Sequence, residues 1–199
     1  MAVMWPPRNV ACSTVPSAER PMSTPYPGKG ADKVAMIEIR ARVKKKDPEA
    51  INFLGEQYVF GELGLQKDMQ KAVELWEEAA GLGSVRALYN LGLSYCRGEG
   101  VKEDKTKGIQ FYTKAAMQGH DESRYFLCCF EGENGNYDRS VRHLLISAKT
   151  GHKDSVEMIK SAFMGGIAPK EQYAQALTGY QHAVKKMKSH DRDEAKRLI

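Results

Sequence analysis

The chain has 199 residues, of which 42% are hydrophobic and 28% are charged, so it has enough apolar material for one sizeable core. Its net charge of +5 is uneven: residues 1–46 hold nine basic and three acidic residues, and residues 47–199 hold 21 basic and 22 acidic residues. Residues 47–199 are nearly neutral, so they show no concentration of basic residues typical of a nucleic-acid-binding protein. No apolar run in the sequence predicts a membrane span or a secretory signal.

The chain begins with a proline-rich tail. Residues 1–31 combine scattered Pro, Ser, Thr and Gly, a composition that predicts a disordered segment. An organelle transit peptide and an artefact of the gene start are the alternatives. Residues 32–46 follow as a basic leading helix. Its run Arg40–Lys46 is best explained as a solvated helix end, with a localisation signal or an acidic-lipid contact as the alternative.

Residues 47–199 are built from repeats. Leu54-Gly55 recurs as Leu91-Gly92 after 37 residues, and Asp68 recurs as Asp104 after 36. A third copy starts near Ser123, with its loop shortened, and a fourth, weaker copy starts near Ser155. Degenerate end copies are expected because terminal repeats face water on one side. The units span about 48–84, 85–121, 122–153 and 154–190.

Each unit is predicted to form two helices. Large residues recur at spacings of three and four, and no stretch alternates apolar and polar residues, so no sheet is expected. Helices should start after Asp47, Asp68 and Asp104 and stop at Gly81, Gly119 and Gly151.

Small residues are predicted where two helices approach closely, chiefly Gly55 and Gly92. Large residues should fill the space beside them: Tyr58, Trp76, Tyr95, Tyr112 and Tyr180. A final helix should bury the stripe Tyr173, Ala176, Leu177, Tyr180, Ala183, Val184 and Met187.

The second copy resembles the Sel-one-like repeat family, a relative of tetratricopeptide repeats. The matching residues are Leu91-Gly92, Tyr95, Gly98, Gly100-Val101, Asp104, Phe111-Tyr112, Lys114-Ala115-Ala116 and Gly119-His120. The resemblance implies an all-α, right-handed α-solenoid of about four antiparallel helix pairs. It also implies a non-enzymatic scaffold or adaptor that binds a partner protein or peptide in a concave groove. The alternative is a substrate- or partner-binding subunit of a ubiquitin-ligase or quality-control assembly.

No residue pattern predicts catalysis, a cofactor or a metal site. In cysteine-rich bacterial members of the family that the chain resembles, evenly spaced cysteines staple the helix pairs. That spacing is absent from Cys12, Cys96, Cys128 and Cys129, so we expect reduced thiols in an intracellular, cytoplasmic protein. A nuclear or organellar location through the tail is the alternative. Cys128 and Cys129 are expected to fill the core, and His143 is expected to be exposed. The sequence pairs no nucleophile with a base, so it does not predict a hydrolase.

Positions that the packing pattern leaves free on the first helix of each unit are the predicted partner-binding residues. They are Glu49, Asn52, Glu56, Arg86, Tyr89, Leu93, Arg97, Glu122 and Tyr125. Tyr89 and Tyr125 occupy equivalent positions, so we expect them to lie side by side, near Arg86 and Arg97, as an interaction hot spot. The open alternative is that both tyrosines simply pack at the interface between repeats.

Overall fold

The structure, a computed structural model, describes the backbone of residues 29–197 and the side chains of residues 33–188. Within these ranges the chain forms α-helices joined by short loops, and no strand occurs. The predicted all-α fold is therefore confirmed. The helices are α1 (Lys29–Lys44), α2 (Pro48–Phe60), α3 (Met69–Gly81), α4 (Val85–Arg97), α5 (Lys105–Met117), α6 (Asp121–Glu133), α7 (Tyr137–Lys149), α8 (Lys153–Met164) and α9 (Lys170–Arg197).

The leading helix differs from its predicted bounds. Most of the predicted tail lies outside the described residues, but residues 29–31 belong to α1. The helix ends at Lys44 rather than at Lys46, because the chain turns at Lys46, which has a positive φ of 56°.

The described residues form two compact units, residues 29–120 and residues 121–197. In the first unit α2 pairs with α3, α4 pairs with α5, and α1 packs against α2. In the second unit α6 pairs with α7, α8 pairs with α9, and α7 also contacts α9. The predicted helix pairs are present in both units.

Aspartate side chains begin three helices of the first unit. The Asp47 carboxylate accepts hydrogen bonds from the N–H groups of Glu49 and Ala50, and Pro48 is the first helical residue. Asp68 and Asp104 cap α3 and α5 in the same way. These caps satisfy amide groups that have no partner within the helix, and they confirm the predicted starts.

Left-handed glycines follow the second helix of three successive pairs, with φ values of 101°, 93° and 100° at Gly83, Gly119 and Gly151. Helix α3 ends at Gly81 as predicted, but the left-handed glycine after it is Gly83, whereas at Gly119 and Gly151 the left-handed residue is the predicted one. The helix-ending hydrogen bond joins the N–H of Ser84 to the carbonyl of Ala79, which places the turn at Gly83.

Two glycines let helices approach closely in the first unit. A Cβ on Gly55 would lie 2.6 Å from Nε1 of Trp76, and a Cβ on Gly92 would lie 2.7 Å from Cδ1 of Tyr112. Both aromatic side chains are buried, and the indole N–H donates to the Asn52 carbonyl at 3.3 Å. The close contacts predicted at both glycines are confirmed. Of the other predicted filling residues, Tyr95 is buried, and Tyr58 and Tyr180 are half-buried.

The core of the second unit contains Cys128 and Cys129, as predicted, beside Leu144 and Ile159. The Ser140 hydroxyl donates a hydrogen bond to the Cys128 carbonyl at 2.9 Å. Hydrogen bonding with Cys128 and burial raise the pKa of the Cys129 thiol, so this sulfur stays protonated. A protonated, buried thiol behaves as a small apolar side chain rather than as a nucleophile.

His143 on α7 is half-buried, so the prediction that it is exposed was wrong. Its position is equivalent to that of Phe111, which is also half-buried in the preceding copy. The Nδ1 atom is buried without a hydrogen-bond partner among the described residues. Burial, and then the nearby charge of Arg124, lower the pKa of His143.

The last helix buries its predicted stripe only in part. Ala176 is buried and Tyr173, Leu177 and Tyr180 pack against the core of the second unit, whereas Met187 is exposed. Among the α9 side chains that the structure describes, the last one packed against this core is Tyr180.

Candidate functional site

One face of α2 and the matching face of α4 carry most of the predicted binding residues. The residues that form this face are four, three and four positions apart on each helix, so they lie on one side of that helix. We call this the α2–α4 face and define it by Glu49, Phe53, Glu56 and Phe60 on α2 and by the equivalent Arg86, Asn90, Leu93 and Arg97 on α4.

A polar network centred on Glu56 joins the two helices. Its Oε1 atom accepts a hydrogen bond from Nδ2 of Asn52 at 3.0 Å and forms an ion pair with Nη2 of Arg86 at 3.1 Å. Asn90 on α4 donates through Nδ2 to Oδ1 of Asn52 at 3.0 Å. These bonds hold the two helices in register and place charged groups at the surface before a partner arrives.

Glu49 is tied to the start of α4. The Ser84 hydroxyl donates to Oε1 of Glu49 at 2.8 Å, while the Ser84 oxygen accepts from the N–H of Ala87 at 3.3 Å. The carboxylate is exposed, and its position is set by the residue that caps the next helix.

Asn52 is not a free surface position, contrary to the prediction. The residue is only 2% exposed, because its side chain lies in the network between α2 and α4 and its carbonyl accepts from Trp76. It supports the α2–α4 face from beneath.

Tyr89 packs inside its own unit. Its ring lies 4.8 Å from the His120 ring and 5.8 Å from the Tyr112 ring, centroid to centroid, and it is half-buried. In the second unit Tyr125 makes the same contact with His152, at 5.5 Å. The tyrosines therefore contact the histidine that follows the second helix of the same copy. Their predicted side-by-side pairing stays a prediction, because they belong to separate units.

The remaining predicted residues are accessible to different extents. Leu93 and Arg97 are half-buried on α4, and Nη1 of Arg97 lies 3.8 Å from Oε1 of Glu99. Glu122 is exposed on α6 of the second unit.

Two phenylalanines on this face were missed. Phe53 is 38% exposed and Phe60 is 43% exposed, although phenylalanine usually belongs to the core. They escaped notice because large apolar residues were taken as packing residues. The repeat register is the signal that could have found them, since Phe53 is equivalent to Asn90 and Phe60 to Arg97.

The structure also bears on two other kinds of site, a metal centre and a membrane-spanning helix. Within residues 33–188, no three His, Cys, Asp or Glu side chains are grouped so as to hold a metal ion. Over the same part of the chain, no helix has both the length and the apolar character needed to cross a bilayer.

Paired helices in register, glycine contacts and caps define the class: a helical-repeat protein. Residues 48–84 and 85–120 match the Sel1 repeat family. The chain thus carries two Sel1 repeats, and residues 48–120 belong to that family.

Known proteins that are similar to the chain include a chitin synthase regulatory factor and two proteins of solved structure. Chitin synthase regulatory factor 3 of Schizosaccharomyces pombe is 31% identical over 114 residues, which are 55% of this chain and 12% of that protein. A Sel1 repeat protein from Oxalobacter formigenes is 25% identical with a TM-score of 0.61, over 74% of this chain and 62% of that one. The c5321 protective antigen of uropathogenic Escherichia coli, which has an SLR fold, is 25% identical with a TM-score of 0.65, over 75% of this chain and 32% of that one.

The chain therefore spans only part of the length of each of these relatives. They place it in the α-solenoid class of Sel1 repeats. Sel1 repeat proteins generally mediate protein–protein interaction, and the fold is not usually enzymatic.

Proposed function

We propose that the protein is a non-enzymatic scaffold or adaptor that binds a partner protein or peptide on the α2–α4 face. The proposal rests on one observation: two exposed phenylalanine rings lie on the same face as a pre-formed network of charged and amide side chains. Phe53 and Phe60 are outside the core of the first unit, whereas the neighbouring Trp76 is inside it.

The composition of the face is that of a binding hot spot. Aromatic rings and arginines carry much of the binding energy at protein interfaces, because they offer a large contact area and forked hydrogen bonding. Arg86 is held by Glu56, yet 57% of its side chain is exposed and can meet a partner. Because that pair exists in the free protein, less side-chain entropy is lost on binding.

The spacing of the rings limits the geometry of the partner. Seven residues separate Phe53 from Phe60, which is roughly 10 Å along a helix. A partner segment in the polyproline II conformation advances about 3.1 Å per residue with three residues per turn, so apolar side chains three positions apart lie on one side and could reach both rings. Leu93, Arg97 and Tyr89 border the same region on α4, and they remain proposed contacts.

The experiment is affinity purification with quantitative mass spectrometry from cells of the source organism. The full chain is compared with the variant Phe53→Ser with Phe60→Ser. A matched control is Leu82→Ser with Met117→Ser, which removes two exposed apolar side chains of the same unit that are not part of the α2–α4 face.

The proposal predicts that at least one protein is lost with the phenylalanine variant and kept with the control, while the melting temperatures of all three proteins agree. Retention of every co-purified protein by the phenylalanine variant would remove the α2–α4 face from consideration.

A further inference from the structure

The leading helix α1 has an apolar side that the first unit does not cover. Met36 is buried, and Ile39 and Val43 pack against the core of that unit. On the opposite side Val34 is 58% exposed and Ile37 is 68% exposed. The helix therefore shows aliphatic side chains on both sides, although only one of them meets the repeat core.

Comparison with the other second helices shows that this outward pair is unusual. The N–H of Asp47 bonds to the carbonyl of Arg42, the same helix-ending bond that joins Ser84 to Ala79 after α3. α1 thus ends as the second helix of a pair does, with Asp47 in the place of Ser84.

That register aligns Val34 with Lys71 and Ile37 with Glu74. Lys71 and Glu74 form an exposed ion pair at 2.6 Å. The same two positions are also polar or charged in α5 and α7, where they are Lys107, Gln110, Arg139 and Arg142. Only in α1, among these four helices, does the outward position pair carry aliphatic side chains.

Cations follow the exposed aliphatic pair along one edge. Lys33, Arg40 and Lys44 are seven and four residues apart, so they lie in one strip beside Val34 and Ile37. All three are exposed, and none forms an ion pair with another described residue. On the other edge Glu38 is the single acidic residue whose side chain is described on this helix.

We propose that this outward face of α1 docks an amphipathic helix from a partner protein, with an apolar stripe flanked by acidic residues. The stripe would cover Val34 and Ile37, and carboxylates would pair with Lys33, Arg40 and Lys44. This surface is separate from the α2–α4 face, so the two proposals stand or fall independently.

Charge and composition disfavour the other occupants. The segment of residues 1–28 has Arg8 and Arg20 against Glu19, so its net charge has the same sign as the strip. A second copy that docked through the same face would set Lys33, Arg40 and Lys44 against the same three cations. Membrane-surface helices present a broad apolar face rich in Trp, Phe and Leu, and α1 presents two β-branched side chains.

Fluorescence anisotropy with the full chain tests this proposal. The probe is a labelled synthetic helix with leucine at the a and d heptad positions and glutamate beside them. A control peptide has lysine in place of every glutamate. We expect binding of the glutamate peptide alone, weakened about tenfold or more by Val34→Gln with Ile37→Gln. The register-matched variant Lys71→Gln with Glu74→Gln should bind as the wild type does.

A charge-reversed variant gives a second readout on the same surface. Arg40→Glu with Lys44→Glu should lose the glutamate peptide and gain the lysine peptide. Circular dichroism should show unchanged helix content, because all the substituted side chains are exposed.

Four results would overturn the proposal. They are absence of glutamate-peptide binding up to about 1 mM, equal binding of both peptides, binding that ignores the Val34 and Ile37 substitutions, and a preference for phosphatidylserine vesicles over the peptide. A dimer seen by sedimentation that dissociates in the Val34→Gln, Ile37→Gln variant would assign the face to a second copy instead.

Discussion

The contact between Gly92 and Tyr112 shows how a single hydrogen atom sets the distance between two helices. Tyr112 is fully buried, and its ring occupies the space that a side chain at position 92 would need. A residue larger than glycine must push the ring or the helix away, and a filled core resists both movements.

We therefore expect Gly92→Val to lower the free energy of unfolding by about 1–3 kcal/mol in urea titrations. Gly81→Ala is the matched control, because a Cβ at position 81 meets nothing within 4 Å and Gly81 has no positive φ. That control should cost nothing. Equal stability of the valine variant and the wild type would show that the contact is not close.

His143 should make stability depend on pH. Burial and Arg124 hold the pKa of His143 below its usual value of 6.5, while Glu131 opposes them. The unfolded chain then takes up this proton at a higher pH than the folded chain. The stability associated with the neutral ring is present above about pH 6.5 and is lost as the pH falls below that value.

The variant His143→Phe removes the titrating group and places there the residue found at the equivalent position 111. Urea titrations between about pH 7.5 and pH 5.5 should show a smaller loss of stability for the variant than for the wild type. Parallel pH curves for the two proteins would contradict the role given to His143.

At the level of residues, the sequence predicted contacts that depend on local register and missed those that depend on neighbouring helices. Gly92 and Gly55 were found because small residues recur at fixed places. The burial of Asn52 and His143 was not, because both are polar and nothing in their own helix shows which neighbour covers them.

At the level of elements, caps decide where the helices start. The Asp104 carboxylate accepts a hydrogen bond from the N–H of Lys107 at 2.9 Å, while Asn136, at the start of α7, makes no such bond. Asp104→Ala should therefore destabilise the first unit by about 1 kcal/mol. Asn136→Ala, measured in parallel by urea unfolding, should cost clearly less. Similar losses would mean that capping does not distinguish these helices.

The pairing of α2 with α4 shows what an element-level prediction could not contain. The repeat register identified Glu56 and Arg86 as surface positions of successive first helices. It could not show that they pair at 3.1 Å, or that Asn90 bridges to Asn52, because those bonds depend on the distance between neighbouring copies. Side-chain networks that join copies require coordinates.

At the level of the whole molecule, the all-α repeat fold was predictable because one pattern recurs with steps of 37 and 36 residues. Prediction weakened towards the end of the chain, where the copies diverge. Met187 was expected in a buried stripe, but it lies exposed on α9, beyond the core of the second unit. The residues that α9 buries are those that meet α7 and α8, and Met187 lies outside that contact.

Site-specific photo-crosslinking tests most directly the central claim that the α2–α4 face binds a partner protein. Benzoylphenylalanine replaces Phe60 in one sample and Glu78, an exposed residue of α3, in the other. The proposed function predicts a defined crosslinked protein from position 60 that excess unlabelled chain suppresses and that position 78 does not yield. Crosslinks from position 78 alone, or from neither position in cells that contain the protein, would contradict it.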